Sequence, residues 1–581
     1  MSAVSVAASG SLADFAAAGV LVPADVHVAT RLAALAGETD EAVLLAVALA
    51  VRSTRHGSVV LDLATAEQTT SPDEDVDAEP VVLPWPGADW AARVAASPLV
   101  GGPLRVEGSR VWLARYWHQE EQVAEELLAR TDSAPDDLDE SLLQAALARL
   151  FPKVDDADQR VAAELCARHR VSVLAGGPGT GKTTTVSRLL ALLLEQHPTW
   201  RVALAAPTGK AAVRLEEAVR ASSATLDSPA RDQVQTLRAT TLHRLLGWRP
   251  DARSRFRHDR HDRLPVDVLV VDEASMLPLT MMARLLEALR PATRVILVGD
   301  PDQLASVEAG AVLGDVAAST RLAGSVARLT SNRRFASTGP IARLARAVQD
   351  GEAAAALQVL RSGDPSVQFV EVADDDPVGE DAWAGIRTDA LDAGRALLAA
   401  ARVGDLPGAL EAVDRHRLLC AHRTGPRGVQ RWSGLVQRWL EEELDLDVRP
   451  DGRYVGEPLL VTENDAEIGL FNGDTGAVVE RRDGIVGAFG RGGAPVVVPL
   501  ARLGAVRPLH AMTVHRSQGS QFARVSLVLP PASSPLGTRE TLYTALTRAI
   551  GSVRVIGSEE AVVAAVERTA ARATGLRERL G

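Results

Sequence analysis

The chain has little cysteine and almost no lysine. Cys166 and Cys420 are the only cysteines in 581 residues, far apart and with no histidine cluster beside them, which excludes a disulfide framework and a structural zinc site. They read as buried thiols of a reducing compartment. The longest apolar run, Ala42 to Val51, falls well short of the roughly 18 residues a membrane span needs. The opening Met1-Ser2-Ala3-Val4 carries no basic leader region. A cytoplasmic protein with no membrane partner is expected. Lysine occurs only at Lys153, Lys182 and Lys210, so nearly all of the 63 basic residues are arginine. A bias of this kind acts genome-wide, and the lysines that survive it mark places where arginine will not serve.

A net charge of -12 argues at face value against nucleic acid. It is a whole-chain sum, however, and the acid is bunched in loop-like stretches, Asp73 to Glu79 and Asp374 to Asp376, while other stretches are basic. The length calls for two or more domains. Residues 1–130 carry no catalytic signature; they read as helical and partly extended, with Trp112, Tyr116 and Trp117 following the strand-like Pro103 to Val106. They are expected to form an accessory domain, with the acidic stretch Thr131 to Asp137 as its linker.

From about residue 140 to 335, apolar runs alternate with helical patterns. Val171 to Ala175, Val202 to Ala206, Val268 to Val271 and Val295 to Val298 each end at Gly, Pro or Asp. Buried strands alternating with helices imply a parallel α/β sheet, with ligands beyond the carboxyl ends of its strands. Residues 336–581 begin helical, turn β-rich and glycine-punctuated between about 450 and 506, and return to α/β through Val525 to Leu529 and a helix from Glu540 to Ala549. The glycines, from Gly473 to Gly493, suggest a small barrel-like insert.

Gly176-Gly177-Pro178-Gly179-Thr180-Gly181-Lys182-Thr183 lies between an apolar strand and a helix that begins at Thr184. That is a full P-loop: backbone amides wrap phosphate oxygens, the helix N-terminus adds positive potential, Lys182 reaches the β- and γ-phosphates and Thr183 binds Mg²⁺. Asp272 and Glu273 follow another buried strand, the first suited to the Mg²⁺ shell and the second to polarising water as general base. ATP and Mg²⁺ are the cofactors implied. These two motifs establish only a nucleotide triphosphatase.

The following motifs narrow it. Val298 to Leu304 sets Gln303 to sense the γ-phosphate. Pro207-Thr208-Gly209-Lys210 and Thr240-Thr241-Leu242-His243 offer small hydroxyls, backbone amides and one lysine, the equipment for a single-stranded phosphate backbone. Thr513, His515 and the motif around Leu542 to Ala549 complete the set. In order and wording these motifs resemble superfamily 1 helicases and, within them, the RecD-like branch, which the stretches Asn464 to Gly476 and Arg423 to Val429 match more closely still.

That resemblance covers roughly residues 150–560 by motif. It implies two RecA-like parallel-sheet lobes with a small β-rich insert and a helical N-terminal accessory domain, and ATP-driven, five-prime to three-prime movement on single-stranded DNA from duplex ends. It implies RecB-like and RecC-like partner chains in a heterotrimer, with the nuclease centre on a partner and the accessory domain docking the RecB-like chain. By the same likeness Gln159 contacts adenine, Arg334 and Arg548 reach the γ-phosphate from the second lobe, and Pro207, Thr208, Lys210, Thr241, His243, Thr513 and His515 contact DNA. Arg333, beside Arg334, is an alternative for that role. The arginine-rich stretch between His243 and Leu264 is either a reduced strand-separating or DNA-contact insert or a solvated, partner-facing loop. A nucleotide switch would keep the first two motifs without the DNA-facing ones, and a vestigial scaffold would not keep every catalytic position filled. Since the motifs lie downstream, removal of residues 1–130 is expected to leave a soluble motor.

The lysine scarcity generates a test. Lys182→Arg keeps the charge but should abolish ATP hydrolysis, because a compact ammonium fits inside the P-loop and a wide planar guanidinium does not. Losing one charge-assisted hydrogen bond costs about 1.5–3 kcal/mol. Arg516→Lys, beside Thr513 and His515, should cost under about 0.5 kcal/mol. DNA-stimulated ATPase assays of both variants check this, and near-normal turnover by Lys182→Arg refutes it.

Overall fold

Runs of Val, Leu, Ile and Ala with no polar face cannot sit at a surface, so they become strands covered on both sides. In the computed structural model, which describes residues 10–72, 82–133, 135–249, 256–306, 308–330, 339–374, 380–465, 467–490, 495–570 and 572–581, six of them form one parallel sheet. Its order is Ala239–Thr241, Val202–Ala206, Val268–Val271, Arg294–Gly299, Val171–Gly176, Val326–Leu329. The strand period of two sends Val295 and Leu297 into the core on one face and Ile296 and Val298 into the core on the other. Helices Lys182–Gln196 and Gly209–Ser223 start at the carboxyl ends of their strands, which brings the motif residues to one edge of the sheet.

A second parallel sheet of five strands runs Val367–Glu371, Ala549–Gly557, Phe522–Val528, His416–Cys420, Ala511–Thr513. Between helix Val429–Glu443 and strand Ala511–Thr513 the chain makes a separate five-stranded antiparallel sheet, in the order Val496–Pro499, Gly484–Phe489, Thr475–Arg481, Pro458–Val461, Val506–Pro508. This is the glycine-punctuated region. Its two outer strands do not pair with each other among the described residues, so it is an open sheet rather than the barrel expected; Gly492 and Gly493 lie outside the described residues.

Helices Ser11–Ala17, Pro23–Ala36 and Glu41–Arg55 pack on a three-stranded antiparallel sheet of Val60–Asp62, Arg110–Leu113 and Leu104–Glu107 and share one core with it. The expected boundary near residue 130 shifts. Helix Ala114–Thr131 buries Val123, Ala124 and Leu127 in the core of the first large sheet, against helix Leu279–Glu287. Nor is the acidic stretch after it a free linker. Asp137 accepts from both terminal nitrogens of Arg294 (2.6 and 3.1 Å), whose guanidinium also covers the Trp200 ring.

The second lobe was expected to run to residue 581, but its last segment turns back. The Val59 N–H donates to Ala573 O (3.0 Å), Leu576 and Leu580 enter the first-lobe core, and the Thr320 N–H donates to Gly581 O (2.8 Å). Glu120, fully buried, accepts from the Trp112 indole N–H (3.0 Å) and the Gly575 N–H (2.8 Å). Residues 572–581 thus strap the accessory domain to the first lobe.

These contacts reverse the expectation for truncation. Removing residues 1–130 strips Val123 and Leu127 from the first-lobe core, so the product should aggregate on size-exclusion chromatography; a monodisperse truncation contradicts this packing. Leu127→Ala in the full chain should cost about 2–5 kcal/mol in chemical denaturation.

Candidate functional site

The P-loop geometry follows from its glycines. Gly179 and Gly181 take φ of 82° and 86°, a left-handed conformation that side chains resist, and so the loop curls into the start of helix Lys182–Gln196. Thr180 Oγ1 donates to Gly177 O (2.8 Å), and Lys182 Nζ donates to the carbonyls of Gly176 (2.5 Å) and Gly177 (3.0 Å). The ammonium is folded back on its own loop.

Strand Val268–Val271 delivers Asp272 and Glu273 to the same place. Glu273, at φ 52°, is the sole non-glycine with positive φ among the described residues, a strained conformation of the kind that persists where the surroundings impose it. Burial, reinforced by the neighbouring Glu273, pushes the Asp272 carboxyl up to about 7, against the pull of Lys182. Burial raises Asp300 as well.

A cleft of about 650 Å³ collects Lys182, Thr183, Asp272, Glu273, Gln303 and Arg548, together with Pro178, Gly179, Gly181 and Thr184. Arg548 comes from the second lobe. Its Nη2 donates to Gln303 Oε1 (2.9 Å), its Nε to Thr544 O (3.0 Å) and its Nη1 to Ser520 O (3.3 Å). Gln303 Nε2 in turn donates to Asp300 (2.9 Å), which also accepts from the Tyr543 hydroxyl (3.1 Å) of the second lobe. Gly176, Gly177 and Thr180 face an adjoining cleft of about 570 Å³ that shares Pro178 with the first. Gln159 lines neither; it is buried, with its amide 3.4 Å from the carbonyls of Thr180 and Gly181 and its oxygen accepting from Arg188. It braces the P-loop. Arg333 and Arg334 lie outside the described residues.

A third hollow, a groove of about 590 Å³, brings together Pro207, Thr208, Lys210 and His243 of the first lobe and His515 of the second. Thr241 and Thr513 do not line it. Their hydroxyls accept backbone N–H groups, from Arg244 (3.2 Å) and Arg516 (3.4 Å), and so shape the turns that present the histidines. Burial drives His515 down to about 4 and also lowers His243, so both rings are neutral near pH 7. Lys210, lowered to about 8 by burial, turns its ammonium to Thr475 Oγ1 of the antiparallel insert (3.3 Å). In the arginine-rich stretch, Arg257 faces Asp262 (3.7 Å) and Arg260 faces Glu287 (3.5 Å), while Arg253 and Arg255 are outside the described residues.

Sequence reasoning gave no role to Arg214, Asp300 or Tyr543. Arg214 lines the first cleft and donates to Gly519 O across the lobes. Its position four residues after Lys210, on the same helix face, was the available signal. Asp300 and Tyr543 sit inside recognised motifs, but their contact spans 243 residues of chain.

Three family models match the chain: an AAA domain over residues 159–309, the N-terminal domain of RecBCD enzyme subunit RecD over residues 17–112, and a UvrD-like helicase C-terminal domain over residues 508–556. The chain is 50% identical to the RecBCD enzyme subunit RecD of Mycolicibacterium smegmatis, across 97% of this chain and 98% of that one. It is 49% identical to the same-named protein of Mycobacterium tuberculosis, across 99% and 97%. With the ATP-dependent RecD2 DNA helicase of Deinococcus radiodurans it shares 35% identity, over 71% of this chain and 51% of that one.

The strain at Glu273 is open to measurement. Glu273→Gly and Glu273→Ala both remove the carboxylate and should both lose nucleotide hydrolysis, but glycine adopts positive φ freely. Glu273→Gly should be more stable than Glu273→Ala by about 1–2 kcal/mol in denaturant unfolding. Equal stability of the two variants argues against a left-handed residue 273.

Proposed function

The chain belongs to the RecD family of RecBCD enzyme subunits, and from that premise we propose that it is an ATP-dependent DNA helicase motor, the alpha subunit of a helicase–exonuclease that acts on double-strand breaks in repair and recombination. The observation that carries the reading is Arg548. Its guanidinium, 3% exposed, makes no ion pair among the described residues and faces the P-loop from the opposite lobe. Glu273 and Asp300 act on it through space without pairing with it, and a buried cation without a direct partner is costly. A phosphoryl group held between Lys182 and Arg548 supplies a direct partner and closes the lobes on each other.

In this reading Lys182 exchanges the Gly176 and Gly177 carbonyls for the β- and γ-phosphates. The oxygen donors of Thr183 and Asp272 suit Mg²⁺, and Asp272, buried beside a second carboxylate, is an uncomfortable anion until a cation joins it. The ion supplies charge neutralisation on the phosphates. Glu273 takes a proton from water as the water oxygen bonds to the γ-phosphorus and the bond to the ADP oxygen breaks. Gln159 and Arg334 remain the candidates for adenine and for a further γ-phosphate contact.

Coupling to DNA runs through Ser520 and Gln518. Ser520 O accepts from Arg548, while Gln518 Nε2 donates to Leu304 O, next to Gln303; both residues also line the groove. Release of the γ-phosphate therefore alters contacts one residue away from the groove wall. Alternate grip by Pro207, Thr208 and His243 on one lobe and His515 on the other, with Thr241 and Thr513 shaping their turns, ratchets the strand five-prime to three-prime. We assign the exonuclease centre to a RecB-like partner, with a RecC-like chain completing the heterotrimer. No helix among the described residues is long and apolar enough to cross a membrane, which supports a cytoplasmic assignment.

Glu273→Gln tests the reading, since the amide fills the same space without the base. The variant should bind ATP as tightly as the parent yet neither hydrolyse it nor displace a strand, whereas the parent should unwind duplexes with five-prime tails in preference to three-prime tails. Normal hydrolysis by the variant, or a parent ATPase indifferent to DNA, overturns the proposal.

A further inference from the structure

We infer that Arg115, at the start of helix Ala114–Thr131 and outside every helicase motif, contacts the phosphate backbone of the bound strand. The inference rests on the helicase reading above and extends the DNA path beyond the helicase motifs, to the helix that joins the accessory sheet to the first lobe. Arg115 lines the same groove as Thr208, His243 and His515. Of the basic side chains there, Arg284 is held by Glu287 (2.7 Å) and Lys210 is turned to Thr475. Arg115 and Arg516 make no ion pair among the described residues; both are exposed, and they line the groove from different parts of the fold, one next to the accessory domain and one on the second lobe.

The base of Arg115 is fixed. Gln119 Oε1, one helical turn on, accepts from Thr280 Oγ1 (2.9 Å), Gln122 Nε2 donates to Ala283 O (3.1 Å), and Val123 and Leu127 are buried in the first-lobe core. The guanidinium leans on the Tyr116 ring, 5.7 Å from its centroid. An arginine on a rigid helix, facing a groove whose histidines are neutral, offers the charge that a phosphate requires. Because helix Ala114–Thr131 runs on from strand Arg110–Leu113 of the accessory sheet, the contact ties that domain's position to the strand.

The test is equilibrium binding of a fluorescent single-stranded oligothymidylate to the full chain over a salt series. Variants are Arg115→Ala, Arg115→Lys, His515→Ala in the groove, and Arg31→Ala on the outer helix Pro23–Ala36. Arg115→Ala should weaken binding several-fold and lower the slope of log affinity against log salt by about 0.7, the loss of one phosphate contact to a single strand. Arg115→Lys should restore the slope, and Arg31→Ala should leave it unchanged. A merely structural role for Arg115 would shift affinity without shifting the slope, and that outcome overturns the inference. If His515→Ala weakens binding while Arg115→Ala has the parent's affinity and slope, the inference fails and the helicase reading stands. If the parent itself does not bind the oligonucleotide, both fail.

Discussion

Arg548 reaches 245 residues back along the chain to Gln303, and the arrangement of both lobes turns on this one hydrogen bond and its neighbours. A guanidinium sunk between two domains gives its hydrogen bonds to neutral acceptors, while the nearest carboxylates, Glu273 and Asp300, act on it only through space. Thr544, Ser520 and Gln303 aim it; none neutralises it. The neighbouring pair of Tyr543 and Asp300 keeps the lobes in register, because a phenol donating to a carboxylate fixes distance and direction together. The lobe interface is thus polar and specific around Arg548, with Leu304 of the first lobe packed into the second-lobe core.

Nucleotide cleft and groove are close neighbours in the chain as well as in space. Helix Gly209–Ser223 carries Lys210 toward the groove and Arg214 toward the cleft. The loop after strand Arg294–Gly299 puts Gln303 in the cleft and Ser306 and Glu308 in the groove. A change in the cleft has no long distance to travel to the groove. It needs only the rigid rotation of elements that already present one end to each site.

The strands and the glycine-rich loop before helix Lys182–Gln196 were legible because their signals are local: an apolar run, a glycine-rich turn, an acid pair after a buried strand. Asp272, Glu273, Lys182 and Gln303 meet in one cleft for that reason. The left-handed backbone of Glu273 was not legible, since the residue type gives no hint of a conformation imposed by its surroundings. Nor were the roles of Thr241 and Thr513: a threonine that donates to a ligand and one that caps a turn read alike. The true membership of helix Ala114–Thr131, and the antiparallel sheet that stays open where a barrel was expected, depend on packing between segments distant in sequence. Arg115 belongs to the same class, an ordinary surface arginine until the fold brings it to the groove that His243 and His515 also line.

The strap made by residues 572–581 imposes an order in time. Glu120 and its partner Gly575 are separated by 455 residues, so at a synthesis rate of about 5–20 residues per second the glycine follows the glutamate by roughly 20–90 s. Throughout that interval the nascent accessory domain and first lobe hold a buried carboxylate short of one donor and an apolar seat awaiting Leu576 and Leu580. Residues 572–581 therefore add their contacts to a junction that helix Ala114–Thr131 has already begun to form through Val123 and Leu127.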